Sequence, residues 1–119
     1  MRHALTIGAA LLMLGFVVTI APQSVVAGDA GSAEELFVST HKCQTCHSLS
    51  TAGIEAKTKK GPMAGPDLAG IGESRDAEWI VKFIKGEEKI DGKKHKKPFK
   101  GTDEELQTIV DWVLEQAAP

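Results

Sequence analysis

The apolar positions of the chain form one solid block and three periodic stretches. The block runs from Ala4 to Ile20 and contains Leu11-Leu12-Met13-Leu14-Gly15-Phe16-Val17-Val18. Arg2 and His3 give it a short basic start, Pro22-Gln23-Ser24 breaks it, and Val25-Val26-Ala27 follows with small residues at the −3 and −1 positions. That order is the mark of a secretory signal peptide, with cleavage expected after Ala27. The alternative is a retained membrane anchor, since about 17 apolar residues stand at the lower limit for spanning a bilayer. The expected organisation is a signal peptide at 1–27 and one domain at 28–119.

The three periodic stretches predict three helices. The first runs from about Ala33 to Thr45. Ser32 and Glu35 have capping-box spacing, and Leu36, Phe37 and Thr40 give a partial apolar face. The second runs from about Ala77 to Lys85, with Asp76 as N-cap, Trp79, Ile80, Phe83 and Ile84 on one face, and Gly86 as its stop. The third runs from about Asp103 to Ala117. Thr102 and Glu105 make a second capping box, and Leu106, Ile109, Val110, Val113 and Leu114 form the stripe. Between them, Ser48 to Gly65 has no clear period and reads as loop. Gly65-Pro66-Asp67 starts a tight turn that Gly70-Ile71-Gly72 continues. Glu87 to Gly101 is a second long loop, lysine-rich and holding Pro98. No repeat and no convincing strand interrupts this pattern, so the fold class is all-α.

A 92-residue domain buries a limited core. It has no Tyr and few aromatics, which fits a core completed by a bound cofactor. Without residues 1–27 the charge is 13 basic against 16 acidic residues, which argues against generic nucleic-acid binding. The charges are unevenly placed. Lys82 to Lys100 holds eight lysines and three acids, whereas Asp103 to the end holds five acids and no base. Solubility alone accounts for such a surface; the functional reading is a charge dipole that steers a partner onto one face.

The chemistry is concentrated in Cys43-Gln44-Thr45-Cys46-His47, which contains the only two cysteines. C-x-x-C-H is the attachment pattern of a c-type haem. Two thiols three residues apart each add to one of the two vinyl groups on one porphyrin edge, and the histidine after them offers its imidazole to the iron. The rival readings are weaker. A thioredoxin-like pair calls for a βαβ context, and a structural zinc site calls for four ligands, which the chain lacks at zinc spacing. A disulfide between Cys43 and Cys46 would close too small a loop to stabilise much. Paired carboxylates in a cleft, a nucleophile–base pair and a phosphate loop are not found, so an enzyme is not expected.

With these helices and loops around C-Q-T-C-H, the chain resembles the monohaem cytochrome c family over nearly all of residues 28–119. The resemblance also rests on Gly65-Pro66-Asp67-Leu68-Ala69-Gly70-Ile71-Gly72 and on Pro98-Phe99-Lys100-Gly101-Thr102-Asp103-Glu104-Glu105-Leu106, followed by Trp112. It implies one covalent haem c with iron, and first and last helices that cross so that Phe37 or Leu36 meets Ile109 and Trp112. The step from Phe37 to Cys43 is slightly longer than usual in the family. The resemblance further implies that the Pro66 carbonyl accepts the Nδ1–H of His47, leaving Nε2 for iron. Arg75, the only arginine after residue 27, is implied as the partner of a haem propionate. Trp79 is read as packing in the core of its helix, with a place beside the haem as the alternative.

The sixth ligand departs from the family. Most relatives place a methionine before the last helix, but here that loop reads Gly92-Lys93-Lys94-His95-Lys96-Lys97-Pro98-Phe99. His95 is therefore the expected distal ligand opposite His47. Met63 is the alternative, and Lys94, Lys96 or an open site remains; His41, on the helix that carries the motif, is not expected to cross. Two imidazoles favour Fe(III), so the expected function is an exported, periplasmic, low-potential, one-electron carrier. A monomer is expected, with lysines around the haem edge (Lys57, Lys59 and Lys60 joining those of Lys93 to Lys100) docking an acidic redox protein. A haem-based gas-binding or sensory module is the alternative if the distal site is weak or open.

Overall fold

A computed structural model of the 119-residue chain describes residues 31–117. The expected signal peptide lies outside the described residues. The architecture is helical. Among the described residues there is no strand, only isolated bridges between Leu49 and Ile54 and between Ile90 and Lys93.

The amino-terminal helix differs from its expected form. It begins as α1 (Ala33–Glu35), started by the Ser32 hydroxyl accepting the Glu35 backbone N–H, and continues as a π-helical turn over Leu36–Thr40. The His41 N–H reaches back five residues to the Leu36 carbonyl. Lys42 then takes φ 57°, a left-handed conformation that stops any helix, and Cys43–Thr45 forms a separate 3₁₀ turn. The expectation of one unbroken helix from Ala33 to Thr45 is therefore corrected. A π turn holds more residues per revolution than an α turn. It takes up extra length between Phe37 and Cys43 while Phe37 stays in the core.

The other two helices follow their sequence signals closely. α2 (Ala77–Ile84) is capped by the Asp76 carboxylate on the Trp79 N–H and ends at Gly86, φ 79°. α3 (Asp103–Ala117) carries a complete capping box. Thr102 Oγ1 accepts the Glu105 N–H at 3.1 Å, and Glu105 Oε2 accepts the Thr102 N–H at 2.9 Å. Two short turns lie in the stretch read as loop and tight turn, at Ser50–Ala52 and Leu68–Glu73. Asp67 joins them, its Oδ1 accepting the N–H groups of Ser50 and Ala69.

The core forms where α1 and its π turn meet α3. Leu36, Phe37, Ile109 and Val113 pack with Leu49 and Ile54, and Trp112 lies against the Phe37 ring at 5.8 Å between centroids. Leu49, Ile54 and Ala56 are buried although they come from a stretch without helical period. α2 contributes no buried residue to this core. Its apolar stripe faces elsewhere.

Candidate functional site

The stripe of α2 faces a cleft of about 600 Å³. Trp79, Ile80, Phe83 and Ile84 line one side of it, and Cys43, Cys46 and His47 line it as well. An amphipathic helix stabilises a fold by burying its apolar face against something. Here that face is only half-buried by protein, and the space before it suits a flat apolar group. Both cysteines are free thiols rather than a disulfide, and burial pushes the Cys43 thiol up to about 11. The arrangement fits the haem that the C-x-x-C-H pattern implies, with two anchoring sulfurs, a ligand and an apolar wall around one cavity.

The imidazole of His47 is fixed from outside the cleft. Its Nδ1 lies 2.8 Å from the Pro66 carbonyl oxygen, an acceptor that makes Nδ1 the protonated nitrogen and leaves Nε2 with its lone pair. Burial holds His47 below its ordinary value, partly offset by that hydrogen bond. The ring is thus neutral at pH 7, the form that binds metals. Gly65 lets the loop come this close. A Cβ built on Gly65 would collide with His47 Cε1 and stand 2.6 Å from Nδ1.

His95 comes to the same cleft from the second long loop. Ile90 and Lys93 exchange two backbone hydrogen bonds of 2.9 Å around Asp91 (φ 50°) and Gly92 (φ 73°), a two-residue reversal that turns the chain back over the cavity. From Asp91 to Lys100 only His95 and Phe99 are half-buried; the rest is exposed. His95 Nδ1 lies 2.7 Å from the Lys97 carbonyl oxygen, the same restraint that Pro66 applies to His47. The His47 and His95 ring centroids are 6.1 Å apart with their planes within 14° of parallel. Two imidazoles on one metal ion, each with a nitrogen–metal bond of about 2 Å, place their ring centres about 6 Å apart.

The remaining site candidates are placed as follows. Met63 lines the cleft but is 46 % exposed, and it lies two residues before Gly65, whose backbone packs on the His47 ring. Arg75 is not part of the cleft wall. Its guanidinium carbon stacks 4.3 Å over the Trp79 ring and its Nη1 donates to the Ser74 carbonyl, a position that lends the propionate role no support. Trp79 lines the cleft as well as packing within α2, stacked on Phe83 at 5.1 Å. His41 also reaches the cleft wall, but its ring is engaged by Phe99 at 4.3 Å and by Glu105 Oε2 at 3.3 Å from Nε2. Lys42, Lys93, Lys94, Lys96, Lys97 and Lys100 surround the opening. Lys96 Nζ donates to the Pro62 carbonyl, which joins the two loops that carry the histidine supports. Lys57, Lys59 and Lys60 do not line the cleft, and Lys59 pairs instead with Glu55 at 2.6 Å.

Two contributors escaped the sequence reading. Asp67 was read only as part of a turn, yet its carboxylate ties the loop after the cysteines to the turn after Pro66. The hydrogen bond with Ser50 is the main reason its carboxyl sits below the ordinary aspartate range. Its signal was an Asp before a run able to turn helically, the N-cap pattern. Phe83 was placed on the apolar face of α2, but nothing in the sequence tied it to His95, 12 residues on, which it meets at 5.6 Å and 80°.

The family model described as Cytochrome c matches residues 32–117. No curated protein and no solved structure matches the chain.

Proposed function

The chain belongs to the cytochrome c family, and from that premise we propose that it is an exported, low-potential, one-electron carrier whose haem iron is ligated by His47 and His95. Cytochromes c bind haem c covalently, and Cys43-Gln44-Thr45-Cys46-His47 is the pattern that receives it. When bound, that group supplies an Fe(III)/Fe(II) couple.

The observation that carries the ligation is the facing pair of imidazoles. Their 6.1 Å spacing, near-parallel planes and matching Nδ1 hydrogen bonds, which leave Nε2 of each ring for a metal, support a shared iron between them. Met63 is the weaker candidate, being exposed and on the loop that packs against His47. His95 in place of a thioether favours the ferric state and lowers the potential. With two restrained rings, a change of iron charge asks little movement of the protein. Residues that cycle a proton or hold a substrate have no place in this reading, so it is a carrier rather than an enzyme.

The lysines around the opening support docking of an acidic redox protein at the cleft mouth. Export rests on the pattern of the first 27 residues. No described helix is long and apolar enough to cross a membrane.

Replacing His95 tests the proposal. His95→Ala is expected to convert a six-coordinate low-spin spectrum to high spin and to admit CO rapidly in the reduced state, whereas the wild type resists CO. A wild type that binds CO at once and completely would favour the gas-binding alternative and sink the carrier reading.

A further inference from the structure

A stack of planar groups along α2 and the residue before its N-cap ends on His95. The Arg75 guanidinium lies 4.3 Å over the Trp79 ring, Trp79 stacks on Phe83 at 5.1 Å and 12°, and Phe83 meets His95 at 5.6 Å and 80°. Trp79 and Phe83, four residues apart, share one face of α2, and Arg75, just before the Asp76 N-cap, folds over Trp79. The last contact is edge-to-face, the arrangement that aromatic quadrupoles favour.

We propose that Phe83 is a positioning residue that sets the ring plane of His95 and so holds the two axial imidazoles parallel. The inference rests on the bis-histidine reading and adds to it. The His47 Nδ1 bond ends on a separate loop, at Pro66, whereas the His95 Nδ1 bond ends on Lys97, only two residues away, which moves with it. That bond orients His95 within the 90–100 loop, and the Lys96–Pro62 hydrogen bond ties the loop to the one that supports His47, but neither packs against the His95 ring to set its plane. Phe83 belongs to a different element, a capped helix whose end is tied to α3 by Lys85 and Asp103 at 3.0 Å. It is the rigid reference against which the His95 plane is turned to within 14° of the His47 plane. Trp79 and Arg75 brace the Phe83 ring from behind.

The orientation is readable by electron paramagnetic resonance. In low-spin ferric haem with two imidazole ligands, near-parallel planes give a rhombic spectrum, and planes turned towards perpendicular give a strongly anisotropic one with a single prominent low-field feature. The oxidised wild-type holoprotein is expected to be rhombic. Phe83→Leu keeps apolar bulk but removes the ring; its optical spectrum stays six-coordinate and low-spin while the sharp rhombic signal is lost to a broadened, more anisotropic one. Phe83→Tyr keeps the ring and keeps the rhombic signal. An unchanged rhombic spectrum in Phe83→Leu, with His95→Ala turning high-spin, would overturn the role of Phe83 and leave the ligation standing. A His95→Ala variant that stays low-spin would remove the ligation and this inference together. A strongly anisotropic wild type would overturn the inference without any variant, whether or not Phe83→Leu retains haem.

Discussion

His47 is held by two adjacent residues, Gly65 and Pro66, in the loop after the motif. The Pro66 carbonyl takes its Nδ1 proton, the Gly65 N–H donates to the Cys46 carbonyl at 2.8 Å, and the missing Gly65 side chain leaves room for the ring. Gly65→Ala puts a methyl group into the imidazole. Forcing a carbon into a filled site costs about 1–3 kcal/mol. The variant is expected to melt lower than the wild type and to show a reduced low-spin fraction, because the displaced ring meets the iron poorly. Equal melting temperatures and equal spectra would show that the close approach does not matter. Cys43, Cys46 and His47 were legible in the sequence because covalent attachment demands fixed residue types at fixed spacing, whereas Pro66 followed only from the family resemblance, since a backbone carbonyl has no residue type of its own. Leu49, Ile54 and Ala56 were not legible as core, since an irregular segment buries side chains without any period to reveal them.

At the scale of elements, the Asp76 N-cap, the Thr102–Glu105 capping box and the apolar stripes located α2 and α3 to within a residue of their observed ends. The break at Lys42 was hidden. A π turn and a left-handed lysine have no composition of their own, and tertiary packing of Phe37 against α3 and Trp112 decides them. Helix α2 is legible as amphipathic and incomplete as a packed element, because its stripe faces the cleft rather than the core. Its stability is therefore tied to the cofactor. Short helices of this length do not persist alone in water. The chain made without haem attachment, as Cys43→Ala with Cys46→Ala, is expected to lose helical circular dichroism corresponding to α2 while α3 stays protected from hydrogen exchange. Full protection of α2 amides in that haem-free chain would contradict the account.

Across the whole molecule, net charge and local charge point in opposite directions. The chain is formally −2, yet lysines crowd the mouth of the cleft. If electrons pass through that mouth, small anionic oxidants react faster than cationic ones of equal driving force despite the net charge. Their advantage is expected to shrink by roughly tenfold as ionic strength rises to physiological levels and beyond. Faster reaction with the cationic reagent at low salt would place the exchange elsewhere on the surface. The cleft itself was only half legible: the sequence offered the candidate ligands, but the loop reversal at Asp91-Gly92 that brings His95 to 6.1 Å from His47 was read as undivided loop.

The ferric optical spectrum of the protein from a maturation-competent host, recorded beside that of His95→Ala, tests the central claim most directly. Ligation by two imidazoles gives a low-spin wild type without the weak red charge-transfer band of a sulfur-ligated iron, and a high-spin variant. A sulfur band in the wild type, or a variant whose spectrum matches it, would show that the iron takes another distal ligand.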